Sequence, residues 1–220
     1  MPILSVTMRK LWTDILCVLC LTCLMACSDG DDDSGGYIPP YITDLMMATT
    51  DADGKIQRVC LDDGTEYNVA SQQISLSAKE TKIRCMATYT HANHQPFQLH
   101  SIAPIFTDVP HPANSIRVMI NGLVYQDVSL LPRDQMKVIS MWKSGGYLNL
   151  HLGMMTTDNG MHEFLFCEDA PGQYSLLHSR PSSDGSAYTE HLYMSMPIPD
   201  GVDEFTFTVR TYDGDYTRTF

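Results

Sequence analysis

The sequence predicts an all-β protein built from two modules joined by a proline-containing boundary. Three observations carry this. After residue 40 the chain runs as short stretches rich in Val, Ile, Thr, Tyr and Phe, the residue types that fit a pleated, half-buried surface. Turn pairs such as Asp53-Gly54, Asp63-Gly64, Asn121-Gly122, Gly145-Gly146, Asn159-Gly160 and Asp184-Gly185 separate them, and these pairs tolerate the positive φ of tight hairpins. No stretch there keeps a helical apolar period for three turns.

The first module begins at Tyr41. Leu45–Thr50 is apolar and β-branched, and Asp51-Ala52-Asp53-Gly54 turns it into Lys55–Leu61. Asp62-Asp63-Gly64 then leads into Thr65–Val69, so two hairpins make a meander. Lys82–Tyr89 and Phe97–Ala103 complete about five strands, the number in a small barrel of the OB type. Asp108-Val109-Pro110-His111-Pro112-Ala113-Asn114 marks the boundary, because two prolines suit neither a helix nor a strand interior. Beyond it, Ser115–Ile120, Met136–Trp142, Tyr147–Met154, His162–Cys167, Tyr174–His178, Tyr188–Met196 and Phe205–Tyr212 read as strands of an antiparallel, immunoglobulin-like β-sandwich. Phe205, Phe207 and Val209 alternate with polar residues and should face its core. The expected modules are therefore 41–109, an OB-like barrel, and 110–220, a sandwich.

The N-terminus reads as an address. Arg9 and Lys10 precede an apolar stretch from Leu11 to Ala26 that contains Asp14. It falls short of the roughly 20 apolar residues of a membrane-spanning helix, so 1–26 is expected to be a removed export peptide. Leu24-Met25-Ala26-Cys27 resembles a bacterial lipobox. Cleavage between Ala26 and Cys27 would leave the Cys27 thiol to carry lipid, tying the protein to a membrane. Ser28, Asp29, Asp31, Asp32 and Asp33 follow, within a segment 27–40 expected to be a flexible tether. The run also resembles the acidic tag that sends some lipoproteins to the cell surface. The expected location is the outer membrane, surface-exposed if the tag is read and facing the periplasm otherwise.

The formal charge of −12 disfavours nucleic acid, whose binding needs clustered Lys and Arg. Cys17, Cys20 and Cys23 lie within the export peptide. Of the three cysteines after Cys27, Cys60 and Cys85 share a module, and exported proteins can form disulfides; the alternative is buried free thiols, which the odd count favours. The sequence lacks G-x-S-x-G, H-E-x-x-H, phosphate-loop and EF-hand patterns, so no catalytic residue, cofactor or metal is assigned. His91 and His94, with His100 and His111 nearby, could converge only in a loop and read better as turn histidines. The acid pairs Asp51/Asp53, Asp62/Asp63 and Asp213/Asp215 sit where turns need aspartate. Trp142, Tyr147 and His151 could form a stacking platform for a ligand such as a glycan, but aromatics beside a sheet more often fill the core, and core packing is the expectation.

The order of lipobox, acidic tether, barrel and sandwich resembles the NigD-like proteins. The likeness rests on the hairpin from Asp51-Ala52-Asp53-Gly54 to Leu61-Asp62-Asp63-Gly64, on the Pro110 boundary, and on Met141-Trp142-Lys143-Ser144-Gly145-Gly146-Tyr147-Leu148-Asn149-Leu150. The resemblance implies an exported lipoprotein of unestablished activity, linked by name to bacteriocin gene clusters, and brings no catalytic or binding residue with it. The leading expectation is a non-catalytic binding or accessory lipoprotein that contacts a glycan or an envelope protein. The alternatives are an immunity or envelope-protection protein and a hydrolase using His91, His94 or the acid pairs.

Overall fold

Alternation along β1 (Tyr41–Thr50) divides the first module into an inside and an outside. Met46 and Ala48 are fully buried inside. In a computed structural model that describes residues 40–91, 96–116, 118–120, 123–125, 131–157, 162–181 and 184–220, β1 pairs with both β2 (Ile56–Leu61) and β4 (Lys82–Thr90). With β3 (Glu66–Asn68) and β5 (Gln98–Pro104) the order is β3-β2-β1-β4-β5. This is the strand order of an OB-like barrel left open between β3 and β5. Gln72 bridges the opening: its side-chain amide donates to Phe97 O at 2.8 Å, and its oxygen accepts from Leu99 N at 2.8 Å. The Tyr67 ring stacks on Phe97 at 4.4 Å across the same gap. Ala26, Cys27, the acidic run, His94 and the turn glycines Gly122 and Gly160 lie outside the described residues.

The Asp51 turn shows why its sequence is Asp-Ala-Asp-Gly. Asp51 Oδ1 accepts from the backbone N–H of Asp53 and of Lys55, each at 2.9 Å. Gly54 has φ +81°, and a Cβ there would lie 2.3 Å from Leu76 O. Only glycine fits.

The second module comprises β6 (Phe106–Thr107), β7 (His111–Pro112), β8 (Val118–Ile120), β9 (Leu123–Tyr125), β10 (Lys137–Ser144), β11 (Tyr147–Thr156), β12 (Glu163–Ala170), β13 (Gln173–Ser179), β14 (Tyr188–Pro197), β15 (Thr206–Thr211) and β16 (Gly214–Thr219). One sheet is β10-β11-β14-β6 and the facing sheet is β16-β15-β13-β12-β7; β8 and β9 pair antiparallel as a separate two-stranded sheet. Leu148, Leu150, Leu152, Met194 and Met196 face Phe166, Leu176, Phe207 and Val209 across the core. Each such side chain contributes about 1.5–3 kcal/mol by leaving water. Phe205, Phe207 and Val209 are all buried there.

The sandwich is mixed rather than wholly antiparallel. β6 runs parallel to β14, β7 to β12 and β13 to β15. The last arises because β14, in the facing sheet, lies between β13 and β15 in sequence and returns the chain to the same end.

No disulfide forms between Cys60 and Cys85: the three cysteines at 60, 85 and 167 are free. Cys85 pairs with Met46, whereas Cys60 pairs with the next residue, Met47. They therefore point to opposite faces of the sheet with β1 between them, about 9.5 Å apart, beyond the reach of a bridge.

Pro39–Phe220 form one compact unit. Asn149 and Ser195 lie on the face of the β11–β14 sheet turned away from the sandwich core, yet both are 0% exposed. The barrel covers them.

Candidate functional site

Arg84 is the centre of that junction. It stands beside Met47 on the outer face of the barrel, and its side chain is 1% exposed. Its guanidinium forms a fork to Asp62, with Nη1 to Oδ1 and Nη2 to Oδ2, the latter at 2.7 Å. Nη2 also donates to Asn149 Oδ1 at 3.2 Å and Nε to Ser195 Oγ at 3.4 Å. The Tyr147 ring lies 4.5 Å from the guanidinium carbon. Around this cation the polar atoms close on one another: Ser195 Oγ donates to Asn149 Oδ1 at 2.6 Å, Asn149 Nδ2 donates to Ser144 Oγ at 2.8 Å, and Ser144 Oγ donates to Asp62. Every donor finds an acceptor, as a buried polar network requires.

Gly145, at the hairpin tip beside Ser144, has φ +59°, and a Cβ there would sit 2.5 Å from Asp62 Oδ1. The glycine lets the hairpin approach the carboxylate. Asp62 is thus an interface residue, not a turn former like its neighbour Asp63, whose Oδ1 accepts from Thr65 N at 2.8 Å.

Beside this clamp opens a cleft of about 530 Å³, within the size range of small-ligand sites. The barrel contributes Thr43, Asp44, Leu45, Leu61, Asp63, Met86 and Tyr89, and the sandwich contributes Trp142, Ser144 and Tyr193. Asp44 Oδ2 accepts the Tyr89 hydroxyl at 2.9 Å. Burial, and then this carboxylate, push the phenol well above its ordinary range.

Trp142, Tyr147 and His151, expected to pack in the sandwich core, all lie instead on the outer face of the β10–β11–β14 sheet, because they alternate with the core residues Leu148, Leu150 and Leu152. Trp142 is half-buried and lines the cleft. Tyr147 lies under Arg84 and its hydroxyl meets Met47 Sδ at 3.5 Å. His151 stacks on Tyr193, centroids 4.3 Å apart, and shares a hydrogen bond with His191 at 2.9 Å. Burial, and then the neighbouring His191, lower its pKa.

The other sequence candidates disperse. His100 bonds Thr90 Oγ1, His111 bonds Asp108, and His91 packs beside Tyr67. Asp51 caps its own turn, and Asp215 pairs with Arg210 at 3.1 Å. Among the described residues no group of three His, Cys, Asp or Glu converges as metal ligands, and no helix is long and apolar enough to cross a membrane.

Sequence reading missed a buried chain of histidines. His162 Nε2 meets Asp184 Oδ2 at 2.8 Å, His162 Nδ1 meets His178 Nε2 at 2.8 Å, and His178 Nδ1 meets Asp134 O at 3.2 Å. Burial lowers the His178 pKa to about 4, so it is neutral and donates from Nδ1 to the carbonyl. Its Nε2 is then free to accept from His162. Burial opposes the Asp184 charge, but hydrogen bonds from Thr157 and His162 outweigh it and keep the carboxyl ionised. All four ring nitrogens are engaged, so this chain is a structural tie.

The fold and its junction define a class: a two-module β protein in which an OB-like barrel docks through a buried arginine onto a β-sandwich. A similar fold occurs in a NigD-like immunity protein from Bacteroides caccae, 21% identical, with TM-score 0.60 over 84% of this chain and 94% of that one. A toxin-related protein from Parabacteroides distasonis matches at 14% identity and TM-score 0.62, over 82% of this chain and 92% of that one. A protein of unknown function from Bacteroides vulgatus matches at 12% identity and TM-score 0.60, over 82% and 90%. The chain therefore has the NigD-like fold to which the sequence resemblance points. No family model and no curated protein matches the sequence.

Proposed function

We propose that the chain is an exported, lipid-anchored envelope protein that binds a partner in the cleft between its modules and plays an accessory rather than a catalytic part. One observation carries the reading: the cleft of about 530 Å³ is walled by Trp142 and Tyr193 on one side and by the barrel on the other. Its two walls are locked together by the Arg84 network. A preformed concavity with aromatic and polar walls suits a ligand. The lipobox at Cys27 and the acidic run Asp29–Asp33 support display on the outer membrane.

A photo-crosslinking amino acid at position 142 in intact cells tests the site, with position 216, exposed on β16, as control. A discrete adduct at 142 and none at 216 supports the reading; equal labelling of both refutes it. Proteinase shaving of the same cells tests display at the surface.

A second reading, protection against a secreted toxin, draws on the fold shared with a NigD-like immunity protein. Gene deletion that leaves sensitivity to neighbouring strains' bacteriocins unchanged would remove it.

A further inference from the structure

The junction already contains one cation held in a particular way. Arg84 takes the Asp62 carboxylate on the barrel side and the Tyr147 ring on the sandwich side. The adjoining cleft repeats the pieces of that arrangement without the cation. Asp44 and Asp63 line it from the barrel, and Trp142 and Tyr193 line it from the sandwich. Asp62, the third carboxylate on the wall, is neutralised by Arg84. Asp44 accepts the Tyr89 phenol, and Asp63 accepts from Thr65, through its backbone N–H and its hydroxyl. Neither is ion-paired, and no Lys or Arg lines the cleft, among the described residues.

We infer that this cleft takes the cationic side chain of a basic peptide segment, an arginine above all. The inference rests on the binding reading above and names its ligand. An arginine suits it because its planar guanidinium bonds carboxylates and stacks on an aromatic face at once, as Arg84 does next door. A neutral sugar could stack on Trp142 and donate hydroxyls to the carboxylates, but it would leave their two charges uncompensated. Nucleic acid is repelled by the same charge. Leu45, Leu61 and Met86 would hold the methylene stem.

The test uses the full chain with Trp12→Phe, which leaves Trp142 as its one tryptophan, so that intrinsic fluorescence reports from the cleft wall. The probes are a blocked Gly-Arg-Arg-Gly peptide, its citrulline counterpart, which keeps the shape and loses the charge, and chitotriose. The expected result is a saturable change in emission with the arginine peptide. Binding should weaken at least tenfold with citrulline, at least tenfold in the Asp44→Asn, Asp63→Asn double variant, and progressively with salt. Asparagine keeps a side-chain oxygen for Tyr89 and for Thr65 N, so the fold is retained and far-UV circular dichroism checks it. Equal response to citrulline, or a response to chitotriose that survives the double variant, overturns the cationic ligand and leaves the binding site standing. Silence with all three probes overturns the cationic ligand, and the position-142 adduct then decides separately whether the cleft binds anything.

Discussion

Replacing Arg84 with methionine removes the charge and keeps most of the volume, and the structure sets the size of the effect. The variant loses the fork to Asp62, the bonds to Asn149 and Ser195, and the contact with the Tyr147 ring. It strands the Asp62 carboxylate, which is left with Ser144 Oγ. Removing one member of a buried ion pair costs about 3–5 kcal/mol. Asp62 is 20% exposed and can recruit water, which places the expectation near the lower end, about 3 kcal/mol. Against a total stability of about 5–15 kcal/mol for a domain, that is a large share. Urea unfolding followed by far-UV circular dichroism measures it. The charge-free double variant Asp62→Asn, Arg84→Met should recover at least half of the loss, because no unpaired charge remains. A single-variant cost below about 1 kcal/mol would refute the reasoning, as would a double variant whose cost equals the sum of the singles.

The fold dictates three further outcomes. His178 has a folded pKa of about 4 against an ordinary 6.5, so its contribution is fully present above pH 6.5 and is lost as pH falls towards 4. About 3 kcal/mol is at stake, and a His178→Gln variant should show a correspondingly flatter stability profile between pH 7 and 4. Asp184, whose carboxyl is also held low, weakens the fold further in acid. Gly54→Ala should cost at least about 2 kcal/mol, since positive φ and the Leu76 carbonyl both oppose a Cβ. Gly64→Ala, at φ +88° with nothing within 4 Å, should cost only about 1–2 kcal/mol, and comparing the two melting points separates strain from collision. Among the described cysteines, thiol labelling of the native protein should modify Cys60 first. Burial pushes Cys85 up to about 11 and Cys167 up to about 12, so both should react only as the fold opens; rapid labelling of Cys85 would contradict its position inside the barrel.

Much of the candidate site was visible in the sequence as residue types but not as a place. Trp142, Tyr147 and His151 stand out as aromatics around a Gly-Gly hairpin, and they do share one sheet face. That this face looks at the barrel, not at the sandwich core, depends on which side of β11 carries Leu148, Leu150 and Leu152. Arg84 was legible only as one polar residue in a strand. Its burial comes from a partner strand 65 residues away, through Asn149, and no local pattern encodes such a distance.

Sequence by itself determined the local elements of this protein: the alternation that makes strands such as β15, and the Asp-Gly and Gly-Gly turns that reverse them. These are decided by φ, by side-chain period and by Asx hydrogen bonds, all of which act within a few residues. Tertiary structure alone decided the parallel pairings, the separation of Cys60 from Cys85, the histidine chain from Asp184 to Asp134, and the junction itself. Each depends on register and on which of two faces is covered. A one-residue slip exchanges those faces, and the choice is made by long-range packing: Met46 and Cys85 turned into the barrel, Arg84 turned out towards Asp62 and Asn149.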